Sequence, residues 1–186
     1  GHCVAPGHAL RAGISASGAG DVNGDGFDDF LIGAETGLNG KSYLVYGTQH
    51  SGLIELEDIA QGNASLGTVF FGGDAGSGFS VSGAGDFNGD GFGDLLIGSN
   101  TRAVDELPGA AYLIYGSANG LGAAFDLDLL GTLNGDPGDG VAGFYMRGID
   151  LGDGSGFVVN SDGDIKGDEY DDIIVAAPLA DHPAGR

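Results

Sequence analysis

The sequence predicts an all-β protein built from repeated, blade-like units of about four antiparallel strands, and three observations carry that prediction. Nine acidic, glycine-broken residues, DVNGDGFDD from Asp21 to Asp29, return as DFNGDGFGD from Asp86 to Asp94 and as DIKGDEYDD from Asp164 to Asp172, at spacings of 65 and 78 residues. The apolar segments around them are short, rich in β-branched and aromatic residues, and bounded by Gly, Asn and Asp, which is strand and turn chemistry. The 40 glycines among 186 residues demand many turns. An internal repeat outranks any single motif as fold evidence, because each copy is one supersecondary unit that buries its apolar face against the next.

Within a unit the elements follow in a fixed order. Ahead of each acidic stretch, Phe79, Val81 and their counterparts alternate with small residues, as a half-buried strand does. After it come continuously apolar runs, Phe30-Leu31-Ile32, Leu95-Leu96-Ile97 and Ile173-Ile174-Val175, which suit a strand covered on both faces. A third strand is predicted in KSYLVYGT (Lys41 to Thr48) and AAYLIYGS (Ala110 to Ser117), and a fourth, outer strand at Thr68 to Phe71 and Phe144 to Arg147. Four strands in a unit of this size fit a β-propeller blade. The units run roughly over 8–72, 73–148 and 149–186, so the expected architecture is an incomplete propeller of two full blades and most of a third.

Composition narrows the partners. The formal net charge is −21, from 27 acids against six bases. Nucleic acid and anionic membrane both reward Lys and Arg, so neither is an expected partner. No apolar run is long enough to span a bilayer as a helix. Without an initial Met or a recognisable signal peptide, the chain is expected to be a processed or partial product. Its single cysteine, Cys3, forms no internal disulfide and reads as an ordinary thiol or one paired outside the chain. His2, His8, His50 and His182 are scattered and suggest no catalytic centre.

The acidic stretches carry the chemistry. Oxygen donors at alternate positions of a tight loop wrap a hard cation such as calcium. In the first stretch side-chain donors fall at positions 1, 3, 5 and 9 (Asp21, Asn23, Asp25, Asp29), Gly26 allows the turn, and Phe27 offers its carbonyl. The second supplies Asp86, Asn88, Asp90, the Phe92 carbonyl and Asp94. Five or more converging protein oxygens favour Ca2+ over Mg2+. An EF-hand needs a bidentate Glu at position 12 between two helices, whereas position 12 here is Ile32 or Ile97 inside a strand. A metal-free Asx turn is the plainer alternative. In the third stretch Asp164, Asp168, the Tyr170 carbonyl and Asp172 remain, but Lys166 stands at position 3 and Glu169 at the turn glycine. A lysine ammonium can replace part of a cation's charge, so whether this loop takes an ion stays open.

Together the acidic loop, the apolar strand and the YLVYG-like strand resemble the FG-GAP repeats of integrin α-subunit β-propellers and of bacterial secreted proteins, over nearly the whole chain. The Gly-Ala-Pro of those repeats appears in part, as Gly33-Ala34-Glu35, Gly98-Ser99-Asn100 and Ala176-Ala177-Pro178. The Phe-Gly is altered, with the aromatic after the glycine in Ser77-Gly78-Phe79 and Ser155-Gly156-Phe157. The resemblance implies calcium at the matching loop positions, on one face of a propeller that usually closes with seven blades. Fewer than three are written here, and the third stops before a YLVYG-like strand. Its missing strands are therefore expected from a longer polypeptide or from other copies, since natural sheets avoid open edges.

These readings converge on a non-enzymatic, calcium-binding, extracellular module for adhesion or self-assembly, whose partner is a protein, a glycan or another copy of the chain. The alternative is the propeller portion of a secreted hydrolase whose catalytic part is absent or lies in Asp/Gly-rich loops such as those of Asp136, Asp139 and Asp153. Asn63-Ala64-Ser65 is a glycosylation sequon.

Overall fold

A computed structural model of the chain describes residues 11–35, 40–48, 52–74, 76–99, 107–132, 142–161 and 163–180. Cys3, the four histidines, Asp136 and Asp139 lie outside the described residues. In the first unit, β1 (Arg11–Gly20), β2 (Asp29–Glu35), β3 (Lys41–Val45) and β4 (Gly67–Phe71) form an antiparallel meander. The second unit repeats it with β5 (Ser77–Gly85), β6 (Asp94–Ser99), β7 (Ala110–Ile114) and, after two short strands, the outer β10 (Gly143–Arg147). The third unit contributes β11 (Val158–Ser161) and β12 (Ile173–Ala176).

The repeat extends to the register. Leu31 faces Leu44 across the first sheet, and Leu96 faces Leu113 across the second. Irregularities fall at equivalent places on β1 and β5, between Gly18 and Gly20 and between Gly83 and Gly85, just before each acidic loop. There a bulge turns the chain out of the sheet.

The fourth strands stand where the sequence places them, but both sheets continue one strand further. β8 (Ala124–Asp126) leaves the second unit and pairs parallel with β4, and β9 (Gly131–Thr132) pairs parallel with β10. Each full sheet thus has five strands, with the outermost parallel. Two side-chain hydroxyls hold the crossing segment: Thr68 Oγ1 donates to the Gly122 carbonyl at 2.6 Å, and Tyr46 Oη accepts from the Leu121 amide at 3.2 Å. A further addition is α1 (Leu56–Ala60), whose Ile59 is fully buried against the first sheet. Burying one such side chain contributes about 2 kcal/mol, enough to hold a helix too short to persist alone.

The middle run, Leu95-Leu96-Ile97, lies between apolar layers on both faces, whereas the first and third runs are covered only in part, with Phe30 and Ile174 exposed on the outer sheets. Leu31, Leu44 and Phe70 of the first sheet pack with Val81, Leu95, Ile97, Tyr112 and Ile114 of the second. On the far face of the second sheet, Leu96, Ala111 and Leu113 meet Val159, Ile173 and Val175 of the third unit. Tyr43, Val45 and Val69 turn to the first sheet's other face, where α1 covers them. Every residue of β6 is therefore buried, as a strand between two neighbours must be.

The sheets approach closely through glycine. A Cβ on Gly33 would collide with the Gly78 carbonyl oxygen of the next unit, and one on Gly98 with the Gly156 carbonyl oxygen. Both glycines sit one position past the apolar run of their strand, so the repeated Gly marks where backbone meets backbone.

Candidate cation loops

The three acidic stretches are the connections between the first and second strands of each unit, all built on one backbone pattern. The residues at positions 4 and 6 have left-handed φ: 72° and 88° at Gly24 and Gly26, 76° and 91° at Gly89 and Gly91, and 75° and 72° at Gly167 and Glu169. Glu169 is the single described non-glycine residue there, a conformation that costs a side-chain-bearing residue about 1 kcal/mol.

Within the loops the predicted side chains converge on the loop's own amides. Asp21 accepts from the Asp25 and Gly26 amides at 3.0 and 2.9 Å, and Asn23 Oδ1 accepts from Asp25 at 3.0 Å. Asp25 accepts from the Phe27 amide at 2.9 Å, and Asn23 Nδ2 donates to its other oxygen at 3.1 Å. The second loop reproduces the set residue for residue, from Asp86, Asn88, Asp90 and Phe92. In the third, Asp164 accepts from Gly167, Asp168 and Glu169, and the Tyr170 amide reaches Asp168 at 3.4 Å.

Position 9 departs from an exposed turn. Asp29 is 2% exposed and Asp94 fully buried. Asp29 Oδ2 accepts from the Val22 amide at 3.0 Å and Oδ1 from the Gly47 amide at 2.7 Å. Asp94 Oδ2 accepts from Phe87 and Asn88 at 2.9 and 3.3 Å, and Oδ1 from Gly116 at 2.9 Å. Gly47 and Gly116 follow the third strand, so position 9 ties the loop to two strands at once. Burial pushes Asp29 and Asp94 up to about 6; the backbone amides pull the other way, and the neighbouring loop carboxylates add to the rise.

The third loop differs in one charge. Lys166 Nζ lies 3.1 Å from Asp168 Oδ2 and 3.0 Å from Asp172 Oδ1, between positions 5 and 9. These hydrogen bonds hold the Asp172 carboxyl below its ordinary range and raise the Lys166 ammonium above its own. Asp164 is lowered chiefly by the Glu169 amide. Both ion pairs among the described residues belong to Lys166, so no basic side chain pairs there with the carboxylates of the first two loops.

Neighbouring loops also touch. The Gly93 amide donates to the Asp21 carbonyl at 3.0 Å, and the Ser117 amide to the Val22 carbonyl at 2.9 Å. One unit along, Asp171 Oδ2 accepts from the Asp86 amide at 2.8 Å. The Phe92 ring lies over Gly24 and the Tyr170 ring over Gly89. Beside this row, where β1, β5 and β11 meet, lies an open polar groove of about 520 Å³ lined by Ser17, Ser82, Asn160, Ser161 and Asp171 among others.

Whether the donor set fits a divalent cation can be judged from this geometry. No three His, Cys, Asp or Glu side chains among the described residues already stand at ion-holding spacing. Two of the five predicted donors per loop are neutral, however, and the carboxylates are turned onto amides while retaining lone pairs. Four carboxylates (Asp21, Asp25, Asp28, Asp29) share the first loop and three the second with no ion pair among the described residues, whereas in the third an ammonium lies between positions 5 and 9. The donor types, carboxylates with an amide and a carbonyl oxygen, suit a hard cation, although the described side chains do not stand at ion-holding spacing.

Asp153 is buried and accepts from the Asp150 amide at 2.9 Å, which is turn capping. Asn63 is exposed, its Oδ1 accepting from Ser65. The sequence reading missed the Gly47 and Gly116 amides, although both glycines close the shared YLVYG-like segment. It also missed Asp171, at position 8, where the first loop has Asp28 and the second Gly93.

The family model described as FG-GAP repeat matches residues 12–46 and 77–114, the strands and loops of the first two units. The chain is 34% identical to integrin alpha-E of Mus musculus over 103 residues, which is 50% of the chain and 8% of that protein. With integrin alpha-7 of Homo sapiens it shares 34% over 87 residues, 47% of the chain and 7% of that protein. With integrin alpha-4 of Xenopus laevis it shares 29% over 167 residues, 88% of the chain and 14% of that protein. The chain thus spans a small part of the length of these relatives.

Proposed function

We propose, for a chain that carries FG-GAP repeats like those of integrin alpha subunits, that it is a calcium-stabilised extracellular binding module of the adhesion type rather than an enzyme. The observation that carries this is the uncompensated carboxylate set in the first two loops, set against the ammonium that occupies the third. Asp21, Asn23, Asp25, the Phe27 carbonyl and Asp29 would hold one ion; Asp86, Asn88, Asp90, the Phe92 carbonyl and Asp94 would hold the second. A bound ion supplies positive charge that relieves repulsion among these carboxylates. The chain's own residues do the rest: position 9 anchors the loop to the third strand, and the next unit's aromatic packs over its glycine.

The millimolar calcium outside cells suits exposed loops of this kind. The buried acids are committed to backbone amides, which supports binding over acid–base catalysis. A protein or glycan ligand is the partner we assign, with the polar groove and the loop face as its surface. Self-association is the second reading. Among the described residues β12 pairs only with β11, whereas β2 and β6 pair on both sides, and Val158 and Ile174 are exposed. A strand of the Tyr43–Tyr46 type is what that edge would accept.

Thermal melting tests the calcium reading. A ligand at a hundred times its Kd adds about 2.7 kcal/mol per site. Two sites in a chain of this size then correspond to a rise of roughly 10 °C or more over the protein in chelator. An unchanged melting temperature would overturn the proposal.

A further inference from the structure

We infer that Lys166 is the resident cation of the third loop, so that this loop closes without divalent metal and braces the second loop whether or not calcium is bound. The inference rests on the calcium reading of the first two loops. Three features carry it. First, the third loop keeps the shared backbone, including the left-handed position 6, even though Glu169 is ill suited to it. Second, its position-9 carboxylate is completed differently: Asp29 and Asp94 give Oδ1 to the amides of Gly47 and Gly116, whereas Asp172 gives Oδ1 to Lys166 Nζ at 3.0 Å. Third, the same ammonium reaches the position-5 carboxylate at 3.1 Å, spanning two of the positions that an ion would join in the other loops.

The surrounding charge makes the lysine necessary. Asp164, Asp168, Glu169, Asp171 and Asp172 lie within nine residues, and Lys166 is the one base among them. From this loop Asp171 accepts the Asp86 amide and Tyr170 covers Gly89, so its closure fixes the start of the second loop. An ion entering beside the ammonium would face a like charge at the two carboxylates it needs, which disfavours binding. The left-handed Glu169 is anchored by its own amide, which donates to Asp164 at 2.7 Å.

The test uses the whole chain, with calcium as the probe and native mass spectrometry to count ions. Wild type is expected to hold two ions. Lys166→Asn, which restores the residue found in the other loops, is expected to hold one more and to melt lower than wild type in chelator by about 2–4 °C, as loss of an exposed charge pair implies. Lys166→Arg keeps the charge and is expected to behave as wild type on both counts. Three ions on wild type, or Lys166→Asn and Lys166→Arg alike in both measurements, would overturn the inference. If wild type holds no ion yet Lys166→Asn still melts lower than Lys166→Arg in chelator, the calcium reading of the first two loops fails while the role of Lys166 stands.

Discussion

Asp94→Ala is expected to destabilise the protein by about 2–4 kcal/mol even with no cation present. The side chain is fully buried and accepts three backbone amides, from Phe87, Asn88 and Gly116. Alanine leaves those amides without partners, and an unpaired buried donor costs about 1–3 kcal/mol. Part of the loss is returned, because burial makes the charged carboxylate itself unfavourable and pushes it up to about 6. That offset fixes the sign of a pH dependence. Between about pH 4 and pH 6 the folded carboxyl holds a proton that the unfolded chain has lost, so stability falls as pH rises through this window. Asp29 behaves in the same way, and each contributes at most about 3 kcal/mol across it. Urea unfolding in chelator should therefore show these two groups making wild type more stable at pH 4.5 than at pH 7. Asp94→Ala should lose part of that slope, and its deficit relative to wild type should widen as pH falls. Bound calcium favours the charged form, so with calcium present the slope contributed by these groups should reverse.

Gly98→Ala is the second large effect, about 2–3 kcal/mol. A Cβ at this position meets the Gly156 carbonyl oxygen and lies 3.0 Å from Val159 Cγ1. The obstacle is backbone in the next unit, so relief requires the third unit to back away from the second, opening the layer that holds Leu96, Leu113 and Val159. Gly18→Ala serves as the control. Gly18 is exposed, with nothing within 4 Å of an added Cβ. Its cost should stay within about 0.5 kcal/mol. Equal losses at Gly18 and Gly98 would show that the close approach of the sheets contributes nothing.

The meander was legible because each unit writes the same signals in the same order. The run Leu95-Leu96-Ile97 reports burial on both faces, while the equivalent runs of the outer units expose Phe30 and Ile174, and the nine-residue stretches report a loop of fixed geometry. The parallel strands β8 and β9 were not legible. Ala124–Asp126 and Gly131–Thr132 are too short to show a period, and what holds the crossing segment is a pair of hydroxyls, Thr68 and Tyr46, distant in sequence. Helix α1 is likewise five residues long and owes its place to one buried isoleucine.

At the loops, positions 1, 3, 5 and 9 could be read from spacing alone, but the depth at which position 9 sits could not. Asp29 and Asp172 look alike in the sequence, yet the first is buried on an amide that follows the third strand and the second is held by a lysine two positions into its own loop. Lys166 was visible as a substitution; that its ammonium reaches both Asp168 and Asp172 required the fold. The contact of Asp171 with the Asp86 amide joins residues 85 positions apart. No local pattern announces such a pairing.

The number of calcium ions held per folded chain at equilibrium tests the central claim most directly. Equilibrium dialysis against calcium, with folding monitored by circular dichroism, should give two ions on the wild-type chain. Asp21→Ala and Asp86→Ala should each remove one. A folded chain that holds none would contradict the account.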